Sequence, residues 1–468
     1  MSTETVQPTG QKGFTWEELA EHNREDSLWV AIRGKVYDLT SYQHRHPGGS
    51  KLLRLAAGRD GTHLFEAYHP LKVIDSNILD KFEIGQLTTF QFPTYPPMSP
   101  FYRTLKTRVA EYMKDNKTDQ QYSHLWTQVF RECFIVGCII AFFCMSSLAP
   151  VVLPARLASC VPLMVLTSMF AGASRSLMGV QVMHDCSHGA FGKQPWLWSL
   201  AGVFGNDVLN GASFYGWCHQ HMLGHHIYCN VEGTDPDIKP FPLRMSPNSP
   251  WAWYHKYQWL WGPIAYCLLS TNVRYNSDMN FWTSGYWEDI KMTPMKLNDM
   301  MAFWGGKLAW FSWQIILPLH LGVSWQHLLM CHAITEAAGS FYLGICFQCN
   351  HVADTVDFQP VGSDGNVSED WAEMQARTTQ DYGHGSWLTF LASGGLNYQV
   401  IHHMLPGVSQ LHYKNLQPTI VQTMKEYNIP YNHHETFSSA VWSHIKFLYQ
   451  MGWEPAKYEK LILSQKVQ

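Results

Sequence analysis

The chain has 468 residues, of which 46% are apolar and 15% are charged, whereas an ordinary soluble domain carries about 25% charged residues. This composition excludes a disordered chain and argues against a purely soluble protein, and the formal charge of −4 gives no general attraction to nucleic acid. There are 24 histidines beside 33 lysines and arginines, so the histidines are the feature that needs a function.

The first predicted unit, residues 14–88, has the mixed polar and apolar composition of a small soluble domain. An alternating apolar segment in it ends at the turn His46-Pro-Gly-Gly, and His69 follows 23 residues later. Two neutral imidazoles that face each other across a cleft form a six-coordinate haem, which transfers electrons without binding oxygen. The segment resembles the cytochrome b5 haem-binding domain. This resemblance implies an α+β fold that holds haem b between His46 and His69.

A linker that is rich in proline opens the segment 89–124, and long apolar stretches alternate with histidine-rich segments from 125 to about 450. Because about 20 apolar residues cross the hydrocarbon core, we predict four membrane spans, at 133–153, 157–174, 301–323 and 328–347. In the last of these, His332 and Glu336 lie four apart on one helical face, which we expect to point into the bundle. The second unit, 125–450, is therefore predicted to be an all-α polytopic membrane domain.

Three histidine motifs lie between and after these spans. They are His184-Asp-Cys-Ser-His188, His221-Met-Leu-Gly-His225-His226 and Gln399-Val-Ile-His402-His403, and a separate His351 ends the fourth span. Residues four apart share a face of an α-helix, so each motif directs several ligand groups the same way. A zinc site needs only three or four ligands, and eight histidines therefore indicate two metal ions. No Glu-x-x-His pair of a carboxylate-bridged centre occurs after residue 100, which favours a histidine-rich di-iron centre.

The predicted topology supports this grouping. Two spans separate the haem domain from the first motif, and two more precede the third motif. All eight histidines and the haem domain are therefore expected on one side of the membrane, as a histidine-rich cap. Such a centre would activate O2, take electrons one at a time from the haem, and remove two hydrogens from an acyl chain in the bilayer.

The motifs resemble the three histidine boxes of the membrane fatty acid desaturases, and so do the longer segments 210–237, 371–386 and 395–413. The fused cytochrome b5 domain and the glutamine that opens the third box resemble the front-end subfamily, in particular its delta-5 members. By position, the resemblance implies eight ligands to two non-haem iron ions: His184, His188, His221, His225, His226, His351, His402 and His403. Gln399 takes a position that is histidine in relatives, and we assign it to the catalytic site, where its amide either binds iron directly or contacts a water molecule beside the iron ligands.

Three further histidines compete for these roles. His219 is a minor alternative to His221, because the second box has an unusual spacing. His384 and His412 are interpreted as structural.

The resemblance also implies the reaction and its partners. An O2-dependent oxidoreductase of this subfamily inserts a cis double bond into a C20 polyunsaturated acyl chain, carried by coenzyme A or by a phospholipid. A separate NADH-dependent cytochrome b5 reductase is expected to supply electrons. The expected location is the endoplasmic reticulum membrane, with the haem domain and the boxes in the cytosol and no nucleic-acid partner.

Several alternatives stay open from the sequence. They are a delta-6, delta-8 or delta-4 front-end enzyme, a sphingolipid long-chain-base desaturase, a lipid hydroxylase, and a haem-tethered electron carrier or transporter.

Overall fold

The computed structural model describes residues 12–120, 125–239 and 242–453, so the last four residues of the predicted segment 89–124 lie outside the described residues. The N-terminal unit is built on a sheet of six short strands in the order β1-β6-β4-β3-β2, with β5 paired to β3. These strands are β1 (Gly13–Phe14), β2 (Asn23–Arg24), β3 (Ser27–Ile32), β4 (Lys35–Asp38), β5 (Arg59–Asp60) and β6 (Glu83–Leu87).

The helices of this unit flank a cleft over the sheet. They are α1 (Trp16–Glu21), α2 (Gly49–Leu55), α3 (Thr62–Tyr68) and α4 (Leu71–Ile74). His46 lies just before α2 and His69 caps the end of α3, so the two histidines are placed by the ends of neighbouring helices. The unit thus has the expected mixture of strands and helices.

Helix α5 (Pro100–Asp115) connects the two units. Ser99 caps it by accepting the N–H of Tyr102, and Pro100 occupies its first turn, where a missing N–H costs nothing. Its buried face, with Leu105 and Val109, packs into a core that belongs to the second unit.

The second unit is almost entirely helical in the part of the chain that the structure describes. Its helices are α6 (Leu125–Met145), α7 (Ala149–Val152), α8 (Ala155–Ala158), α9 (Val161–Met178), α10 (His184–Ser187), α11 (Pro195–Val203), α12 (Phe214–Cys218), α13 (His226–Tyr228), α14 (Gln258–Ala265), α15 (Leu269–Asn272), α16 (Asp278–Ser284), α17 (Leu297–Phe311), α18 (Leu317–His320), α19 (Trp325–His351), α20 (Trp371–Arg377), α21 (Trp387–Ser393), α22 (Gln399–Met404), α23 (Tyr413–Glu426) and α24 (Phe437–Trp453). Two short pairs of strands complete it: β7 (Tyr286–Trp287) with β8 (Ile290–Lys291), and β9 (Asp381–Tyr382) with β10 (His433–His434).

Among the described residues, three helices are long and apolar enough to cross a membrane: Trp126–Met145, Val161–Ser187 and Trp325–His351. They overlap the first, second and fourth predicted spans. The first prediction, 133–153, was displaced, because the helix begins seven residues earlier, at Trp126, and ends eight residues earlier, at Met145. The third predicted span, 301–323, is divided between α17 and α18 by a π-helical turn at Ser312–Ile316, and it is not among the three. A fourth span therefore stays a prediction.

The long helices α9 and α19 pack closely, and α9 also packs against α6. Gly172 lies at the crossing of α9 and α19, where an added Cβ would come within 2.2 Å of the carbonyl oxygen of Thr335. Small residues permit such close approach of helices in a membrane. Glu336 of α19 is buried and pairs with Arg175 at 2.7 Å and with Arg274 at 3.0 Å, which confirms that its side chain faces the bundle interior.

Candidate active site

His46 and His69 face each other across an apolar cavity of about 540 Å³, with ring centroids 5.9 Å apart. Nδ1 of His46 lies 3.3 Å from the carbonyl oxygen of Gly49, and Nδ1 of His69 lies 2.9 Å from that of Phe65. These hydrogen bonds occupy the Nδ1 atoms, so Nε2 of each ring is available to bind a metal. Burial lowers the pKa of His46 and lowers the pKa of His69 to about 4, so both rings are neutral, as ligands must be.

The two glycines of the His-Pro-Gly-Gly turn have different neighbours. A Cβ on Gly48 would lie 3.0 Å from the His46 ring, so Gly48 permits the backbone to pass close to that ring. Gly49 has a φ of +78°, and its Cβ would lie 2.9 Å from Pro195 of the second unit. The absence of a side chain at the second glycine therefore permits the close contact between the two units.

The eight histidines of the three motifs and of α19 lie in two adjacent buried clusters. In each cluster the candidate ligand atoms lie within 4.8 Å of one another. Nε2 of His226 lies 3.1 Å from Nε2 of both His221 and His402. The first cluster contains His184, His188, His221, His226 and His402, and the second contains His225, His351 and His403 together with Cys229.

The second box is not the α-helix that its four-residue spacing suggested. His219–His225 forms a π-helix, in which residues five apart are bonded and therefore stacked on one face. His221 and His226 accordingly share the first cluster, while His225 belongs to the second. The first box has α-helical geometry from His184 onward, and its two histidines stay together as predicted.

Polar side chains behind the rings hold the nitrogen atoms that face away from the clusters. Nδ1 of His402 lies 3.0 Å from the hydroxyl of Tyr413, and Nδ1 of His403 lies 2.7 Å from Oε1 of Gln375. Such partners fix the tautomer and the orientation of a ligating ring. No motif spacing predicts a role for either residue, although both lie in segments that resemble the family.

His225 has a carboxylate behind it. Its Nδ1 lies 3.2 Å from Asp235, whose buried carboxylate also accepts the backbone N–H groups of Asn230 and Asp237. Burial disfavours the imidazolium, but Asp235 and Asp237 outweigh this and raise the pKa of His225 to about 9. A metal ion on the ring would displace a proton and keep the carboxylate as its partner. No spacing pattern in the sequence predicts a role for Asp235.

Gln399 and Cys229 lie on opposite sides of His351. Nε2 of Gln399 is 2.8 Å from Nε2 of His351, and Oε1 of Gln399 is buried with no hydrogen-bond partner among the described residues. The Sγ of Cys229 lies 3.3 Å from the other ring nitrogen, Nδ1. Gln399 thus lies on the side of His351 where a metal bound to Nε2 would be. Cys229 lies on the opposite side of the ring.

The competing histidines lie outside both clusters. His219 uses both of its ring nitrogens, since Nδ1 lies 2.9 Å from the carbonyl oxygen of Tyr215 and Nε2 accepts the N–H of Thr293. His221 takes the position in the cluster instead. His384 pairs with Asp381 at 3.1 Å, which agrees with a structural role for it.

The donor set of the clusters fits non-haem iron. Nε2 of His188, Nε2 of His403 and Oε1 of Gln399 are buried and lack a hydrogen-bond partner in the described ranges. An unpaired buried polar atom costs about 1–3 kcal/mol, and a metal ion on these atoms removes that cost. Imidazole is a ligand that suits iron, and eight imidazoles in two groups match two ions.

The comparisons with known proteins agree with both halves of this arrangement. Residues 15–88 match the cytochrome b5-like haem/steroid binding domain, and residues 158–435 match the fatty acid desaturase family. The chain is 35% identical to acyl-lipid (8-3)-desaturase B of Dictyostelium discoideum over 97% of both chains. It is 37% identical to delta(5) fatty acid desaturase A of the same organism over 97% of both chains. It is also 37% identical to an acyl-lipid (8-3)-desaturase of Mortierella alpina, over 95% of this chain and 98% of that one.

The fold and the site therefore define an oxygen-dependent oxidoreductase, with apolar helices able to cross a membrane, that carries its own haem domain. Its cofactors are one haem and two non-haem iron ions. The chain belongs to the fatty acid desaturase family.

Proposed function

We propose that the chain is a delta-5 front-end desaturase, which inserts a cis double bond at carbon 5 of C20 polyunsaturated acyl chains. The observation that carries this proposal is the pair of histidine clusters directly beside the haem cleft, in a chain whose relatives of nearly equal length are named delta(5) and (8-3) desaturases. In this site His46 and His69 hold the haem, and the eight clustered histidines hold the two irons. Gln399 completes the second iron site.

When bound, the irons supply the activation of O2 and the removal of two hydrogens from the acyl chain, with electrons from the haem. The protein residues contribute orientation and exclusion of water. Tyr413, Gln375 and Asp235 hold three of the imidazoles in place, and burial of all eight keeps bulk water from the reacting atoms.

The acyl chain has a candidate entry from the membrane. An apolar cavity of about 530 Å³ lies between α9, α19 and α21, and Phe170 and Phe341 in its wall are partly exposed. Cys346, also in the wall, lies on α19 five residues before His351. The position of this cavity supports a route by which the acyl chain approaches the second cluster from the bilayer.

The regiochemistry is tested by feeding a panel of C18 and C20 polyunsaturated acids to a host that lacks them. We expect a new double bond at carbon 5 of C20 acids that already carry one at carbon 8. A new bond at carbon 4, 6 or 8, or a hydroxyl group in its place, would reject the delta-5 assignment. Pulse-labelling of the acids shows whether the new bond appears first in acyl-coenzyme A or in phospholipid.

The topology is also part of the proposal. We place the chain in the endoplasmic reticulum membrane with four spans, the third formed by α17 and α18, and the haem domain and both clusters in the cytosol, with a cytochrome b5 reductase as the donor. Met301, Trp304 and Leu308 on α17 are exposed apolar side chains, which supports a lipid-facing helix. Glycosylation acceptors inserted at Ser159 and at Gly322 should both be modified in the lumen. Modification at only one of them would exclude four spans.

A further inference from the structure

The haem cleft is closed on one side by the second unit. Its wall includes His46 and His69 from the haem domain, and also His188, Trp198 and Gly407 from the second unit. His188 is a member of the first histidine cluster. One side chain of the metal centre therefore forms part of the wall of the haem pocket.

Tyr68 joins the two sites. It is the last residue of α3, directly before His69, and its side chain lines the same cavity as both haem ligands. Its hydroxyl lies 2.6 Å from Nδ1 of His188, and the two rings are nearly parallel at an interplanar angle of 16°. A Cβ on Gly407 would come within 3.0 Å of Cδ1 of Tyr68, so the backbone of the second unit packs directly on this ring.

The junction between the units fixes this contact. Nη1 of Arg54 lies 3.2 Å from Asp299, and its Nη2 donates to the carbonyl oxygen of Pro294. Arg59 donates to the carbonyl oxygen of Lys291 at 2.9 Å. Arg54 and Asp299 are both buried, so the haem domain is docked through a desolvated ion pair.

We propose that Tyr68 is the positioning residue for electron transfer between the two cofactor sites, through its ring and its hydrogen bond with His188. The proposal rests on the proposed function, because it needs a haem and a non-haem iron centre in the same molecule. Each transfer oxidises the ferrous haem iron by one electron and reduces the non-haem centre by one electron. Two transfers, two hydrogens from the substrate and two protons from solvent convert one O2 to two waters, and the Tyr68 phenol stays protonated throughout.

The physical reason is the continuity of the route. Bonded and hydrogen-bonded atoms couple two redox sites more strongly than a van der Waals gap does. Removal of the hydroxyl replaces a 2.6 Å hydrogen bond with such a gap, while the aromatic ring keeps its place in the cavity. Because the phenol also holds Nδ1 of His188, its loss has a second expected effect: loss of a partner of this kind weakens metal binding by about 10–100-fold. The test must separate these two effects.

The test compares Tyr68→Phe with Tyr95→Phe in the full-length holoenzyme. Tyr95 is a matched control, since its hydroxyl donates to the carbonyl oxygen of Ile227 at 2.6 Å and touches neither cluster. The holoenzyme is reduced anaerobically with enough reductant for the haem and both non-haem irons and is then mixed with O2 and acyl substrate. The reoxidation of its haem is followed by absorbance. Haem spectrum, haem potential and iron content are measured on the same samples.

We expect Tyr68→Phe to keep the haem spectrum and potential and to lower the rate constant of haem reoxidation several-fold per iron-loaded molecule. Tyr95→Phe should match the wild type. Reoxidation of iron-loaded Tyr68→Phe at the wild-type rate would overturn the proposal and leave Tyr68 as a support for His188 only. Failure of the proposed function is distinct, because the wild-type enzyme would then form no new double bond at carbon 5.

Discussion

At the scale of single residues, several of the ligand rings are oriented by a hydrogen bond to the nitrogen that faces away from the metal site. The outward nitrogens of His402 and His403 contact Tyr413 and Gln375, so the opposite nitrogens face the cluster interior. The haem histidines follow the same rule with backbone carbonyl oxygens as partners. The motifs in the sequence indicate which side chains carry the donor atoms. The partner groups lie outside the histidine motifs, and the spacing of the histidines contains no information about them.

A substitution at His46 tests whether the haem site and the non-haem iron site assemble independently. His46→Ala should abolish the haem absorbance and the desaturase activity, because one axial ligand is lost and no electrons reach the second site. The non-haem iron should stay at two per chain, since neither cluster contains His46. Optical spectra and metal analysis of purified protein check this, against three irons per chain in the wild type. Activity of the variant without added cytochrome b5 would contradict the assigned electron route.

Gln399 tests the second iron site. Its unpaired buried oxygen and its 2.8 Å contact with His351 predict that the amide faces the metal. Gln399→Leu, which keeps the approximate shape of the side chain, should lower the iron affinity of the second cluster by about 10–100-fold. The first cluster should keep its iron. Gln399→His should retain both irons, because imidazole supplies a nitrogen donor in the same place. Iron titration of the apo-protein separates the variants. Full iron affinity in Gln399→Leu would show that the glutamine has no role at the metal.

At the scale of elements, the division of the histidines between two clusters depends on the shape of two helices. The spacing of the second box predicts that His221 and His225 serve the same cluster. In the π-helix at His219–His225 they belong to different clusters, although their rings still stack with centroids 5.6 Å apart. A π-helix inserts one residue per turn and is stabilised by tertiary contacts and bound ligands, so local sequence does not indicate it. The first box is α-helical from His184, so its four-residue spacing places His184 and His188 in the same cluster, as expected.

Contact between α9 and α19 couples the clusters to the membrane helices. The helix that begins as α9 leads into the first box, and α19 ends at His351. Gly172→Ala should force these helices apart, because the new Cβ meets a backbone oxygen at 2.2 Å. We expect lower thermal stability and lower iron content at both sites. Gly137→Ala on α6 is the control, since its Cβ meets nothing within 4 Å and alanine is the better helix former. Equal stability of the two variants would contradict a tight crossing.

At the scale of the whole molecule, the sequence indicates two units but not how they are joined. Composition and residue spacing are properties of short stretches of sequence. They are sufficient to indicate the haem-domain boundary, the histidine motifs and three of the four predicted spans. The relative position of the units depends on contacts between residues far apart in sequence, such as Arg54 with Asp299 and Gly49 with Pro195. No periodicity or motif predicts such pairs. The third predicted span illustrates a related limit, because Lys307 inside it pairs with Asp278 and makes its apolar pattern weaker.

The buried pair at the junction gives a prediction for the whole molecule. Arg54→Met leaves the carboxylate of Asp299 buried without its cationic partner, and loss of one member of a buried pair typically costs about 3–5 kcal/mol. Because this cost falls on the docked state, the haem domain should separate from the second unit more often. We expect slower haem reoxidation, with haem and iron contents unchanged, and faster proteolysis between residues 89 and 99.

Lys296→Met is the matched control for this experiment. Lys296 pairs with Glu25 across the same junction, but both side chains are partly exposed, and an exposed pair contributes only about 0–1 kcal/mol. This variant should keep the wild-type reoxidation rate and proteolytic pattern. If Arg54→Met also keeps both, the docked position of the haem domain does not depend on the buried pair. If Arg54→Met is cleaved faster but oxidises its haem at the wild-type rate, docking does not limit electron transfer.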